Sequence, residues 1–213
     1  MKKYRDLWTL EGDTETAVAN YGEWLRKGQE IIDLVPVKGV CVQAGGSFGL
    51  FPIKLAEQFD RVYTWEPAPD TWECMVRNIQ EISQHQDRIT MFNTALGAET
   101  SRATIHREHE GNSGALQLEY AEDGEFPVVC IDSLELDSCD LIWLDIEGFE
   151  VEALKGAKET IEKYKPVLVI ENKGLIPGMG GNLLGSPKVD EFIYRLGYKK
   201  LTRMMRDDIY IKE

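Results

Sequence analysis

The hydrophobic positions of the chain follow two alternating patterns. Nearly continuous runs of apolar residues occur at 39–42, 61–65, 89–92, 141–144 and 167–170. Around them, apolar residues recur every three or four positions, at 15–35, 50–59, 69–82, 150–161 and 188–196. Continuous apolar runs are typical of parallel strands covered on both faces, and the wider spacing is typical of amphipathic helices. The pattern predicts an α/β fold, with a mostly parallel sheet between two layers of helices.

Three segments depart from this alternation. Residues 94–133 hold short apolar stretches separated by polar turns, which predict inserted antiparallel strands. Residues 172–187 are rich in glycine and predict a long loop, and such loops are usually functional or disordered. Residues 198–202 and 208–211 predict two strands whose connection is too short for a helical crossover, so they should pair antiparallel. The expected sheet is therefore Rossmann-like and seven-stranded, ending in a reversed hairpin.

A glycine-rich turn follows the first predicted strand of the sheet. It contains Gly45, Gly46 and Gly49, and the absence of side chains there lets the backbone pass close to a ligand. Glu66 ends the next strand, where an acid accepts the ribose hydroxyls in dinucleotide-binding folds. Glycine turn and acid together predict a site for an adenosine-containing ligand, without choosing between NAD and S-adenosylmethionine.

Charge and composition narrow the classes of function. The 213 residues carry a formal net charge of −13 with dispersed basic residues, which is a poor match to a nucleic-acid-binding surface. No apolar run approaches the roughly 20 residues that cross a bilayer, and the first residues do not resemble a signal peptide. The four cysteines are scattered, which favours reduced thiols in a cytoplasmic protein. The length favours one domain over 1–213, with residues 1–36 as an amino-terminal helical cap.

Two features favour S-adenosylmethionine over NAD. Residues 44–49 fit the dinucleotide fingerprint only with Ala44 in place of its first glycine, where the turn is tightest. The reversed carboxyl-terminal hairpin is typical of class I methyltransferases, and the chain lacks the length for a separate substrate domain. An NAD-dependent enzyme remains the less favoured alternative.

Several blocks of the sequence resemble the FkbM family of methyltransferases. They are residues 43–49 (QAGGSFG), 65–69 (WEPAP), 93–97 (NTALG), 131–134 (IDSL), 144–150 (LDIEGFE), 153–157 (ALKGA) and 166–171 (PVLVIE), together with Asn78. The resemblance implies methyl transfer from S-adenosylmethionine to a hydroxyl of a sugar, glycan or other small molecule. It implies cofactor contacts from a set of positions within these blocks, which are Gln43, Gly45, Gly46, Ser47, Gly49, Glu66, Asn93, Ala95 and Asp145.

One position departs from the family pattern. Gln43 stands where the family usually has an aspartate that helps to hold the methionine part of the cofactor. A glutamine can form hydrogen bonds but carries no charge to attract an ammonium group. The departure motivates an alternative, a protein that binds S-adenosylmethionine without catalysis.

Asp145 is the candidate catalytic base, because a strand-end carboxylate can accept the proton of a hydroxyl acceptor. Its alternative role is to cap the helix that begins near Gly148. Glu147 and Glu150 add negative charge to the first turn of that helix, which favours it through the dipole. Asp145, Glu147 and Glu171 could also bind a divalent cation, although no metal is assigned to the site.

Two tryptophans outside the predicted sheet have no assigned place. Trp8 and Trp24 either pack the amino-terminal helix or shape the pocket for the methyl acceptor. The sequence does not decide between these roles.

Overall fold

A computed structural model describes residues 1–4, 6–12, 17–107, 116–172, 186–204 and 206–212, with side chains described except at 17–21, 107, 186 and 187. The strands are β1 (Lys2–Tyr4), β2 (Leu7–Thr9), β3 (Val40–Ala44), β4 (Arg61–Trp65), β5 (Ile89–Phe92), β6 (Ala95–Leu96), β7 (Ser101–Arg107), β8 (Gln117–Tyr120), β9 (Phe126–Val129), β10 (Leu141–Leu144), β11 (Val167–Glu171), β12 (Lys199–Met204) and β13 (Asp207–Ile211). The α-helices are α1 (Ala17–Asp33), α2 (Leu50–Ala56), α3 (Pro69–Ile82), α4 (Glu150–Lys155), α5 (Lys158–Tyr164) and α6 (Ser186–Arg195). Among the described residues, no helix is both long and apolar enough to cross a membrane.

A seven-stranded sheet forms the centre of the fold, with strand order β12-β13-β11-β10-β3-β4-β5. The strands β11, β10, β3, β4 and β5 pair parallel to one another. β13 runs antiparallel to both β11 and β12. The predicted Rossmann-like sheet with a reversed carboxyl-terminal strand is confirmed.

The two faces of this sheet are buried by different helices. On one face, Ile32 of α1, Leu55 of α2 and Met75 of α3 pack in one cluster with residues of the central strands. On the other face, Leu154 of α4 and Ile193 of α6 belong to a second cluster. Every residue of β3, β10 and β11 is buried, which explains their continuous apolar sequences.

A second, four-stranded sheet is formed within residues 94–133, with strand order β6-β9-β7-β8. β7 pairs antiparallel with β8 and β9, whereas β6 pairs parallel with β9. β7, β8 and β9 are thus the inserted antiparallel strands that the sequence predicts, and β6 is a further short strand outside that prediction. β6 follows β5 almost directly, so this small sheet begins beside the edge of the main one.

The amino-terminal segment differs from the predicted helical cap. β1 and β2 form an antiparallel hairpin before α1 begins. The hairpin is fixed to α3, since the backbone N–H of Trp8 donates to Asn78 Oδ1 at 2.7 Å and Asn78 Nδ2 donates to the Trp8 carbonyl at 2.9 Å. A three-residue strand is too short to give a recognisable alternation, which is why the pattern missed it.

Two further boundaries differ from the prediction. The helix expected over 150–161 is two helices, α4 and α5, because the chain turns at Gly156 and Ala157. A Cβ at Gly156 would lie 2.1 Å from the Gly97 carbonyl oxygen, so the small sheet packs directly against this turn. Of the predicted loop 172–187, residues 173–185 lie outside the described residues, and Ser186 already belongs to α6.

Candidate active site

The glycine turn between β3 and α2 is held against β4. The backbone N–H groups of Gly45 and Gly46 both donate to the Trp65 carbonyl, at 3.2 and 2.8 Å. Gly45 has φ +83°, and a Cβ there would lie 1.9 Å from the Asp145 carbonyl oxygen. A Cβ at Gly46 would lie 2.4 Å from Met75 Sδ. Gly45 is therefore required by the neighbouring backbone of the protein itself, which is a different reason from the ligand approach inferred from the sequence.

The rest of the turn brings the chain into α2. Ser47 and Gly49 both have positive φ, of 47° and 85°, and the Gly49 N–H donates to the Gly46 carbonyl at 2.8 Å. A non-glycine residue rarely adopts the left-handed conformation, so Ser47 is held there by its surroundings. Its backbone N–H donates to a carboxylate from the end of the next strand.

Glu66 supplies that carboxylate. Glu66 Oε2 accepts the Ser47 N–H at 2.9 Å, and Oε1 accepts the Ala68 N–H at 3.0 Å. The side chain is buried, and its desolvation raises the pKa to about 7, although the two hydrogen bonds favour the charged form. Glu66 thus joins the glycine turn to the end of β4.

Two of the residues expected to contact a cofactor have other partners. Gln43 is 1% exposed, with Nε2 donating to the Gly45 carbonyl at 3.0 Å and Oε1 accepting from Thr64 Oγ1 at 2.6 Å. Asn93 is exposed, and its Nδ2 donates to the backbone carbonyls of Glu66 and Pro67, at 2.8 and 3.1 Å. Both amides fix the backbone around the turn and the acid.

The segment after β10 carries the acidic residues. Asp145 is half-buried, and its backbone N–H donates to the Ala44 carbonyl at 3.1 Å. The next residues turn sharply, with φ +57° at Glu147 and +111° at Gly148. Glu150 closes the turn, because its Oε1 accepts the N–H groups of Ile146 and Gly148, each at 3.1 Å.

This geometry corrects the capping role considered for Asp145 and the helix-dipole role considered for Glu150 at the start of α4. Phe149 occupies the N-cap position and no side chain caps the helix, so Asp145 is not the cap. Glu150 is 3% exposed and binds the loop rather than acting only through the helix dipole. Burial raises its pKa to about 7, opposed by the backbone hydrogen bonds. Asp145 is thereby left to face the crevice.

A crevice of about 290 Å³ runs along the carboxyl edge of the sheet. The predicted residues that line it are Gly45, Gly46, Ser47, Glu66, Ala95 and Asp145. Gln43, Gly49 and Asn93 are not among its lining residues. The crevice is where open parallel α/β sheets bind ligands, beyond the carboxyl ends of their strands.

Further lining residues come from elements far apart in the sequence. They are Trp24, Phe48, Leu50, Phe51, Trp65, Pro67, Thr94, Leu96, Leu116, Leu118, Ile146, Glu147, Phe149, Glu171 and Arg206. Apolar residues dominate this set, as in most small-molecule sites. Leu118 of β8 had no sequence signal for this role, because its place depends on how the small sheet meets the large one.

Three carboxylates meet at one end of the crevice. One oxygen from each of Asp145, Glu147 and Glu171 lies within 4.8 Å of the others. Glu171 is buried, and the other two are half-buried. Acidic groups at this spacing are common without an ion, so the spacing alone assigns no metal.

The order of the sheet, its reversed strand β13 and the crevice at its carboxyl edge define a Rossmann-like class I methyltransferase fold. Residues 43–200 match the methyltransferase FkbM domain. This match covers most of the chain, so the protein belongs to the FkbM family of methyltransferases. No curated protein sequence gives a significant match.

Solved structures with the same fold include several methyltransferases. The FkbM methyltransferase of Methylobacillus flagellatus KT has a TM-score of 0.55 and 22% identity, over 80% of this chain and 42% of that one. A ribosomal protein L11 methylase from Lactobacillus delbrueckii subsp. bulgaricus has a TM-score of 0.54 and 12% identity, over 90% and 79%. Magnesium protoporphyrin IX methyltransferase from Synechocystis PCC 6803, with bound SAM, has a TM-score of 0.53 and 13% identity, over 95% and 86%. The chain thus spans less than half of the FkbM structure.

Proposed function

We propose that this protein transfers a methyl group from S-adenosylmethionine to a hydroxyl of a sugar, glycan or other small molecule. The observation that carries the proposal is the junction of the glycine turn with Glu66, where Oε2 accepts the Ser47 N–H at 2.9 Å beside the crevice. Membership of the FkbM methyltransferase family supports the reaction. The bound SAM of the structurally similar Synechocystis enzyme supports the choice of cofactor.

The residues of the crevice fit an adenosyl ligand. Glu66 has two carboxylate oxygens at the crevice wall, and each retains a lone pair beyond the backbone N–H that it accepts. Those lone pairs suit the ribose hydroxyls, as at the equivalent strand end of dinucleotide-binding folds. Apolar walls from Phe48, Ala95 and Leu96 suit a flat adenine ring. When bound, S-adenosylmethionine supplies an activated methyl group.

Asp145 is the proposed base for the acceptor hydroxyl. Its backbone is fixed on both sides, by its N–H bond to the Ala44 carbonyl and by Glu150, which binds the Ile146 N–H. The carboxylate lines the crevice next to Gly45. A positioned base of this kind typically contributes about 10²–10⁴-fold in rate. Most of the remaining rate would come from alignment of the two reactants within the crevice.

Binding and turnover test the proposal separately. Calorimetry of the full chain with S-adenosylhomocysteine, the product form of the cofactor, should show saturable binding. A methyl-transfer assay on a panel of sugars and small alcohols should then identify an acceptor. Absence of S-adenosylhomocysteine binding to the folded protein would refute the proposed cofactor site.

A second candidate function is binding of S-adenosylmethionine without catalysis. The observation in its favour is Gln43, whose side-chain amide is used by Gly45 and Thr64 and carries no charge for the methionine ammonium. Binding of S-adenosylhomocysteine together with no methyl transfer across the acceptor panel would favour this second function. Methyl transfer to any acceptor would exclude it.

A further inference from the structure

The hairpin of β1 and β2 packs against the wall of the crevice. Leu7 of β2 is 5% exposed and belongs to one hydrophobic cluster with Phe48, Leu50 and Cys74. Two members of this cluster, Phe48 and Leu50, also line the crevice. The amino-terminal hairpin is therefore continuous in packing with the proposed cofactor site.

One buried side chain is hydrogen-bonded to both the hairpin and the glycine turn. Asn78 of α3 is fully buried, and its amide holds the Trp8 backbone through both the N–H and the carbonyl. Its Nδ2 also donates to the Phe48 carbonyl, at 2.8 Å. A primary amide has two N–H donors, so one serves the hairpin and the other serves the turn. Asn78 thus joins two segments that are far apart in the sequence.

The Phe48 carbonyl belongs to a constrained part of the turn. Ser47 on one side has φ +47° and donates its N–H to Glu66, and Gly49 on the other side has φ +85°. A left-handed conformation persists at a non-glycine residue only when the surroundings hold it there. The bond from Asn78 is one such constraint, because it fixes the peptide that joins Phe48 to Gly49. Asn78 therefore stabilises the conformation in which Ser47 meets Glu66.

The side chain of Trp8 packs on the exposed side of the hairpin. Arg77 lies over the indole ring, 4.5 Å from its centroid, and Nε1 donates to Glu81 Oε2 at 2.9 Å. Both partners belong to α3, and Trp8 is not a lining residue of the crevice. Charged contacts at exposed positions contribute little individually. Leu7 and Asn78 are therefore the main anchors of the hairpin.

We propose that Asn78 is a positioning residue for the cofactor site, and that docking of the hairpin and binding of S-adenosylmethionine favour each other. The proposal rests on the proposed function, since it places the cofactor against the glycine turn. Without the docked hairpin, Asn78 would lose the partner of its oxygen and of one N–H, and its amide would be free to turn away from Phe48. A ligand that fixes the turn holds the Phe48 carbonyl in place for Asn78. Such coupling is reciprocal, so each event stabilises the other by the same factor.

Amide hydrogen exchange of the wild-type full chain, followed by NMR, tests the coupling without any substitution. The reporter is the Trp8 N–H, because Asn78 Oδ1 accepts it. With saturating S-adenosylhomocysteine it should exchange at least about fivefold more slowly than without the ligand. The control amides are those of the edge strand β12 that exchange as fast as Trp8 in the free protein, since β12 adds no lining residue to the crevice. Their rates should change little.

Variants separate positioning from a purely structural role. Asn78→Ala removes the bonds to both segments, so the affinity for S-adenosylhomocysteine should fall roughly tenfold, and the hairpin amides should no longer respond to the ligand. Leu7→Ala loosens the hairpin without removing any bond of the turn, and a smaller fall in affinity is expected. Ile193→Val is the matched control, because Ile193 is a buried residue of α6 that does not line the crevice. It should lower the melting temperature and leave the affinity unchanged.

Three results would overturn the inference. Equal slowing of exchange at Trp8 and in β12 would show a general gain in stability and refute the coupling. Wild-type affinity for S-adenosylhomocysteine in folded Asn78→Ala or Leu7→Ala would refute the positioning role while leaving the cofactor site intact. If Asn78→Ala does not fold, Leu7→Ala and the wild-type exchange rates decide. Failure of the wild-type protein to bind S-adenosylhomocysteine would refute the proposed function itself, and the coupling with it.

Discussion

Replacement of Glu66 by glutamine tests the contact on which the cofactor site depends. Glutamine keeps the size of the side chain but has one acceptor oxygen where glutamate has two. The Ser47 N–H and the Ala68 N–H each donate to a different oxygen of Glu66, so one of them loses its acceptor. The proposed bonds from the ribose hydroxyls are also weakened, because they no longer reach a carboxylate.

The expected loss follows from the strength of these bonds. A hydrogen bond to a charged group is worth about 1.5–3 kcal/mol. Loss of one such bond corresponds to roughly a ten- to hundredfold weaker affinity for S-adenosylhomocysteine. The folded protein itself should remain stable, because the variant also removes a carboxylate whose pKa burial has raised to about 7.

Isothermal titration calorimetry at about pH 8, where the Glu66 carboxylate is mostly ionised, measures the effect. Glu73→Gln is the matched control, because Glu73 is an exposed glutamate on α3. An affinity of Glu66→Gln within about twofold of the wild-type value, well below the loss of one charged hydrogen bond, would show that the ribose is held elsewhere. The melting temperature of the variant distinguishes weaker binding from loss of fold.

Three further predictions address the base, the turn and the pH dependence. Asp145→Asn should lower turnover by about 10²–10⁴-fold in a methyl-transfer assay and leave S-adenosylhomocysteine affinity nearly unchanged; equal losses in both would argue against a base. Gly45→Ala should lower the free energy of unfolding, measured by urea titration, by at least about 3 kcal/mol. The reason is that φ at Gly45 is +83° and the added Cβ would lie 1.9 Å from the Asp145 carbonyl oxygen. The control Gly22→Ala, which has open space around its Cβ, should have little effect or stabilise α1. Folding raises the pKa of Glu66 and of Glu150 from 4.5 to about 7, so the folded state holds more protons than the unfolded state between these pH values. The free energy of unfolding should therefore fall as pH rises from about 4.5 to 7, by roughly 3 kcal/mol for each residue. Urea titrations at the two ends of this range check the sign, and Glu150→Gln should show a smaller fall.

The order of the strands and helices was predictable because it depends on local patterns. Strands that are buried on both faces need continuous apolar sequences, and helices on a sheet need one apolar side, so the main parallel strands and the helices between them appear directly in the sequence. The glycine turn and Glu66 were predictable for a similar reason. The chemistry that each position requires admits few residue types, and both positions lie at the ends of recognisable strands.

Where each polar side chain points was decided by tertiary contacts. Gln43 and Asn93 lie within the blocks that resemble the family, yet their amides bind backbone and side-chain groups of the protein itself. Glu150 has the sequence of a helix-dipole residue and instead closes the turn before α4. A hydrogen-bond partner in another strand leaves no mark on the local pattern, so the roles of Gln43 and Asn93 could not be assigned from sequence.

The sequence by itself determined a parallel α/β sheet with an acid and a glycine turn at one edge, because periodicity and residue chemistry are local properties. Only the tertiary structure placed Asp207 beside Glu171 and Asp145, because the position of Asp207 relative to these two acids depends on the register of β13 against β11. The same holds for Trp24, which reaches the site from α1 through its contact with Phe51. Pairing across strands and packing between distant helices are fixed by the folded chain as a whole, and a cavity exists only after both are in place.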